Sequence, residues 1–185
     1  MEIKSLNKSF GDKIIFSDFS ASIPDGKITF IMGESGCGKT TLLRIIAGLD
    51  NDYTGTIQKE SNNISVVFQE PRLFPAISIK KNLEIVNNNP IYSIDEILSI
   101  VELTGDADEL PQNLSGGMKM RASVARSLYH NGDIYLMDEP FSAIDENMKD
   151  RIIPRVLSFI KGKTVIIISH DADEVKKYAD NIIKL

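Results

Sequence analysis

The sequence has no tryptophan and a single cysteine, Cys37. One thiol cannot close an intrachain disulfide, so a reducing, cytosolic compartment is expected. Long apolar runs are missing too. The longest aliphatic stretch, Val165 to Ile168, is far too short to cross a bilayer. The opening Met1-Glu2-Ile3-Lys4 has neither the basic region nor the apolar stretch of a secretory signal. Any work at a membrane is therefore expected to run through a partner. Positive charge is not in surplus either: 21 Lys and Arg stand against 26 Asp and Glu, a formal charge of −5, with no basic run. Neutralising nucleic-acid phosphates needs clustered cations, so no nucleic-acid partner is expected. What is present, 42% apolar and 25% charged residues over 185 positions, suits one compact globular domain.

Alternation through Phe19, Ala21 and Ile23, closed by Pro24-Asp25-Gly26, reads as a half-buried strand. With Ile3, Leu6, Ile14 and Ile15 it predicts an antiparallel β layer at the N terminus. The pattern then changes. Ile28 to Met32, Ile64 to Phe68, Ile134 to Met137 and Val165 to Ile168 are short, nearly continuous apolar runs with helical segments between them. Strands buried on both faces of a parallel sheet look like this, so a covered α/β sheet is expected. Residues 93–104 predict the clearest helix. Ser93 and Glu96 have capping-box spacing, Ile94, Ile97, Leu98 and Val101 share a face, and Gly105 is the expected stop. Pro154, within the helical stretch Met148 to Ile160, predicts a kink or a break. Residues 71–112 lack strand runs and are expected to form a small helical subdomain.

Gly33-Glu34-Ser35-Gly36-Cys37-Gly38-Lys39-Thr40 fits the phosphate-loop pattern G-x-x-x-x-G-K-[ST], between an expected strand and an expected helix. Glycines let the backbone wrap closely enough for its N–H groups to point at phosphate oxygens. Lys39 is expected to reach the β- and γ-phosphates, and the Thr40 hydroxyl to ligate Mg²⁺. The nucleotide-binding set is Gly33, Ser35, Gly36, Cys37, Gly38, Lys39, Thr40 and Thr41, at the positive end of a helix that buries Leu42, Ile45 and Ile46. The apolar run Ile134 to Met137 ends in Asp138 and Glu139. Asp138 can hold Mg²⁺ at the strand's carboxyl end, and Glu139 can act as general base on water. Taken this far, the residues define a P-loop nucleoside triphosphatase. A small-molecule kinase remains open, provided a phosphate acceptor lies near Glu139.

Leu114-Ser115-Gly116-Gly117-Met118 resembles the LSGGQ signature of ABC ATPases. A Ser-Gly-Gly turn opening a helix, with Met118, Ala122, Ala125 and Leu128 on one face, is a second anion-accepting helix start. Further matches run along nearly the whole chain. Gln69 resembles the family's Q-loop glutamine, which contacts Mg²⁺ and water. Ser142-Ala143-Ile144-Asp145 resembles the D-loop, and His170 the switch histidine at the γ-phosphate. Phe10 stands where the family has an aromatic residue stacking on adenine.

The resemblance implies an α/β P-loop NTPase fold of ABC-ATPase type. Its sheet is mostly parallel, with an N-terminal antiparallel β layer. The chain is expected to be a single ABC ATPase domain, 1–185, with a helical subdomain at about 71–125 inserted in the core. The resemblance also implies ATP and Mg²⁺ as cofactors and a head-to-tail homodimer or pseudo-dimer, each ATP lying between one copy's P-loop and the other's Ser115 and Gly117. It implies a transmembrane permease partner, a solute-binding protein, and a place on the inner face of the cell membrane. Catalysis falls to Glu139, His170, Gln69 and Lys39, and metal binding to Thr40, Gln69 and Asp138. The stretch Val67 to Pro75 looks most like importers of the nitrate, sulfonate and taurine group, and residues 71–77 border the family's groove for a coupling helix.

Departures are few. Met118 replaces the usual Gln, which predicts altered packing rather than lost activity. Cys37 occupies a variable position of the loop and reads as inert. Thr54 to Asn63 is abbreviated, and the usual C-terminal helices do not follow before Leu185, so regulation through such an appendage is not expected. A non-transport ABC ATPase is the alternative, but the interval from Gln69 to Ser115 has no room for a coiled coil.

Overall fold

The N-terminal strands β1 (Glu2–Phe10) and β2 (Lys13–Ser22) form an antiparallel hairpin, and β4 (Thr54–Gln58) pairs antiparallel with the other edge of β1. Ile3, Leu6 and Phe16 are buried while Ile14 faces outward. Register shifts between β1 and β2 interrupt strict alternation, so residues two apart such as Ile14 and Phe16 differ in burial. The expected antiparallel layer is thus present. These coordinates come from a computed structural model that describes residues 1–87 and 89–185.

The chain divides into two compact units. The first comprises Met1–Ile64, Asp133–Asp138 and Gly162–Leu185. Besides the antiparallel layer it holds four parallel strands, β3 (Ile28–Met32), β6 (Ile134–Asp138), β7 (Thr164–Ile168) and β8 (Asn181–Lys184). They run in the spatial order β6-β7-β3-β8. Every residue of β6 and β7 is buried, which is why these strands read as unbroken apolar runs rather than alternating ones. Helix α1 (Lys39–Ile46) follows β3, and α6 (Ala172–Tyr178) lies between β7 and β8.

Strand β5 (Ile64–Val67) carries the chain into the second unit, Ser65–Gly132 with Glu139–Lys161. This unit is helical: α2 (Ile79–Glu84), α3 (Ile94–Ile100), α4 (Gly116–His130) and α5 (Glu146–Phe159). Its core is Ile79, Leu83, Ile97, Leu98 and Val101 against Ala122, Ala125 and Leu128 of α4. The capping box of α3 is present, with both reciprocal bonds between Ser93 and Glu96. The helix stops earlier than its sequence predicts, however. Glu102 takes a left-handed φ of +54°, its N–H donates to Ser99 O, and Leu103 N–H donates to Leu98 O at 2.9 Å. Those bonds form a Schellman cap, so the chain turns before Gly105, which falls inside a 3₁₀ turn. Nor does Pro154 break α5, which runs through it. Ile152, Ile153 and Val156 are buried on either side of the proline and hold the helix in place. Among the described residues, no helix is long and apolar enough to cross a membrane.

Candidate nucleotide site

Three neighbouring strands of the first unit deliver the chemistry. The phosphate loop follows β3, Asp138 ends β6, and His170 comes shortly after β7, which lies between them. Across the ladders Asp138 pairs with Ile168, and Ile31 pairs with the same residue from the other side. The carboxyl ends of these strands therefore lie level, where open α/β sheets bind their ligands.

Within the loop, Gly38 caps α1 with a φ of +108°. A Cβ there would lie 2.6 Å from Ile15 Cγ2 and 2.9 Å from Phe16 Cζ, so only glycine lets the loop close against the hairpin. Lys39 is buried, and its Nζ donates to Gly33 O and Glu34 O at 2.8 Å each, curling the side chain under the loop. Ser35 and Gly36 are exposed on the rim, and Thr41 is half-buried in the first turn of α1. Leu42, Ile45 and Ile46 anchor that helix in the core, as its spacing predicts. Cys37 Sγ is 4.0 Å from Lys39 Nζ.

The Thr40 hydroxyl donates to Asp138 Oδ2 at 2.6 Å. A hydroxyl and a nearly buried carboxylate are hard oxygen donors, the set Mg²⁺ takes. Among the described residues no group of three or more His, Cys, Asp or Glu can hold a metal by itself.

His170 is exposed between two fixed neighbours. Ser169 Oγ donates to Glu174 at 2.8 Å, and Asp171 caps α6 by accepting from Asp173 N and Glu174 N. Phe10 ends β1 with 53% of its surface exposed, beside the Lys8 ammonium at 4.6 Å from the ring centroid. Lys8 escaped the sequence reading. Its signal was its place two residues after the buried Leu6 of β1, where a lysine takes an inward position.

The remaining predicted residues belong to the second unit. Gln69 is exposed just after β5. Glu139 has a left-handed φ of +49° immediately before Pro140, and its carbonyl accepts from the backbone and hydroxyl of Ser142. Ser115 caps α4 by accepting from Met118 N at 3.2 Å. A Cβ on Gly117 would lie 2.6 Å from Ala143 O, so α4 meets the Ser142–Asp145 loop through a position only glycine can fill. Arg121, further along α4, is buried and donates to Val101 O and Glu102 O at 2.8 Å each, and nothing in its spacing singled it out. His130, which has no motif around it, meets Ser65 Oγ through Nδ1 at 3.0 Å.

A glycine loop between a parallel strand and a helix, with its lysine curled beneath and its threonine on a strand-end aspartate, defines a P-loop nucleotide-binding protein. Comparison with known proteins narrows the class. The ABC transporter family model matches residues 16–142. The aliphatic sulfonates import ATP-binding protein SsuB 2 of Pseudomonas syringae pv. tomato is 35% identical over 187 residues, 99% of this chain and 81% of its own length. Its namesake from Burkholderia cenocepacia is 37% identical over 199 residues, covering 100% of this chain and 73% of the relative. The dimeric structure of MJ0796, a bacterial ABC transporter cassette, superposes with a TM-score of 0.85 at 28% identity, over 100% of this chain and 93% of that one. A post-hydrolysis state of the same cassette bound to ADP and Pi gives 0.83 at 29% identity, with the same coverage. This chain belongs to the ABC transporter family. It is an ATP-binding cassette, an ATPase that works on ATP with Mg²⁺.

Proposed function

We propose that the chain energises import of a small organic anion of the aliphatic sulfonate class, working on the cytoplasmic face of the membrane through a separate transmembrane permease supplied by a solute-binding protein. The cargo and direction follow the names of its relatives. The observation that carries the ATP-driven part is the Thr40–Asp138 contact at 2.6 Å beside the loop that encloses Lys39. In this reading residues 1–185 form a single ABC ATPase domain, with a helical subdomain within about 71–125 inserted in the core.

Thr40, Asp138 and Gln69 hold Mg²⁺, which when bound neutralises charge on the β- and γ-phosphates. Lys39 and the N–H groups of Gly33 to Thr41 bind and orient the phosphates, and Phe10 stacks on the base. Glu139 takes a proton from the attacking water, and His170 orients the γ-phosphate. Its left-handed φ supports a special role for Glu139, since backbone strain persists where function requires it. Two copies close head to tail, Ser115 and Gly117 of each meeting the ATP held by the other. The exposed Phe74, beside Leu73 and Arg72, offers an apolar edge for the permease.

The test has two arms. A tagged copy recovered from detergent-solubilised membranes should bring down a multi-spanning protein, and a preparation with intact ATPase but only soluble partners would defeat the transport reading. Glu139→Gln should release phosphate about 10²- to 10⁴-fold more slowly while still binding ATP, and near-wild-type turnover would remove its role as base.

A further inference from the structure

Lys8 is the least expected side chain of the first unit. Only 2% of it is exposed, and its ammonium donates to Asp50 Oδ1 at 2.9 Å, Asp52 O at 2.7 Å and Asp52 Oδ2 at 3.3 Å. An ammonium has three N–H donors, so these acceptors engage it fully and it cannot swing away. It lies 4.6 Å from the centroid of the Phe10 ring. Asp50 sits just beyond the end of α1, where its N–H donates to Arg44 O at 3.3 Å. A bonded path therefore runs from the phosphate loop through α1 and Asp50 to Lys8 and the face of Phe10. Ile15 and Phe16 press the same hairpin against Gly38.

We infer that Lys8, fixed by Asp50 and Asp52, is a positioning residue that backs the Phe10 ring and sets it for stacking on the adenine of ATP. The inference rests on the proposal that Phe10 is the base-stacking residue. An exposed ring at a strand end is free to change rotamer, and a fixed cation over one face holds it in place. The same cation draws on the ring's negative π cloud, so the opposite face repels a purine less. Burial opposes the charge on Lys8, but hydrogen bonds and the charges of Asp50 and Asp52 outweigh it and raise the pKa. The cation therefore persists through the neutral range.

Two titrations of the intact protein separate the base from the phosphates: MgATP, and magnesium tripolyphosphate, which has no base. Lys8→Met should weaken MgATP binding about fivefold and leave tripolyphosphate unchanged. Lys8→Arg should restore ATP affinity, because a guanidinium also stacks on an aromatic face. Equal loss for both ligands would show a merely structural lysine and overturn the inference. Phe10→Ala should lose ATP affinity alone, and Lys8→Met added to it should cost nothing further. If Phe10→Ala leaves ATP binding intact, the stacking role falls and this inference with it. If Phe10→Ala weakens ATP binding and Lys8→Met does not, only the role of Lys8 falls. Should Lys8→Met fail to fold, Asp52→Asn replaces a carboxylate that is 95% exposed and loosens the ammonium. An ATP-only loss in that variant supports the inference, and no loss or an equal loss overturns it.

Discussion

A hydroxyl and a carboxylate 98 residues apart in the chain, Thr40 and Asp138, meet at 2.6 Å. Each has a second use: together they form the oxygen pair proposed to receive Mg²⁺. Thr40→Val keeps the shape of the residue and removes one donor oxygen. Wild-type protein should bind ATP more tightly with Mg²⁺ than with EDTA, and in the variant that gap should narrow. Isothermal titration in both buffers measures it, and an undiminished gap would take Thr40 out of the metal site. The motif made this contact legible, because Gly-Lys-Thr and a strand-end Asp are local patterns. Lys8 was not legible in the same way. Its partners lie 42 and 44 residues away, and no spacing rule joins a strand lysine to acids beyond a later helix.

Among the elements, α4 tests how two adjacent glycines differ. Gly116 has open space around its missing Cβ, whereas Gly117 faces Ala143 O at 2.6 Å. Gly116→Ala should leave the melting temperature unchanged or slightly higher, and Gly117→Ala should destabilise by about 1–3 kcal/mol, since a backbone carbonyl cannot give way as a side chain does. Thermal melts of the pair decide it, and equal shifts would contradict the packing. The end of α3 offers a second case. Glu102 accepts from Arg151 Nε and Nη2 at 2.9 and 3.0 Å and from Arg155 Nη1 at 3.1 Å. The Arg151 hydrogen bonds hold its carboxyl below the ordinary 4.5 against an opposing push from burial, with charges from Arg151, Arg155 and Arg121 adding. A carboxyl depressed in the folded state stabilises fully above that ordinary value and loses its contribution as pH falls through the lower folded value. The melting difference between wild type and Glu102→Gln should accordingly be largest near neutrality and close as pH falls below the ordinary carboxyl value. A difference independent of pH would show that the charge of Glu102 does not matter. The capping box three residues apart could be read from sequence, but α3 stops in a Schellman cap built on a non-glycine residue, Glu102, whose left-handed φ no local pattern announces.

At the scale of the whole molecule, one chain carries two helix starts suited to anions, at Lys39 and at Ser115, in different units. That duplication is what a head-to-tail pair would use. Glu139→Gln, able to bind ATP but slow to hydrolyse it, should double its mass in light scattering when MgATP is added. Ser115→Arg in the same background should remain single while binding ATP in the P-loop as before. Persistence of the dimer in that double variant would exclude Ser115 from the interface. The parallel strands and the phosphate loop were readable because buried strands and glycine loops announce themselves locally. A helical subdomain at about 71–125 is expected from the missing strand runs, but no local pattern joins Glu139–Lys161, beyond β6, to the same unit.

Glu139 remains in a backbone conformation that suits glycine better than any acid. A library of random variants screened only for heat resistance should therefore enrich Glu139→Gly, which relieves about 1 kcal/mol of strain and discards the carboxylate. The survivors of such a screen would melt later and turn over almost no ATP. At this position durability and work pull in opposite directions, so the acid persists only where hydrolysis itself is under selection.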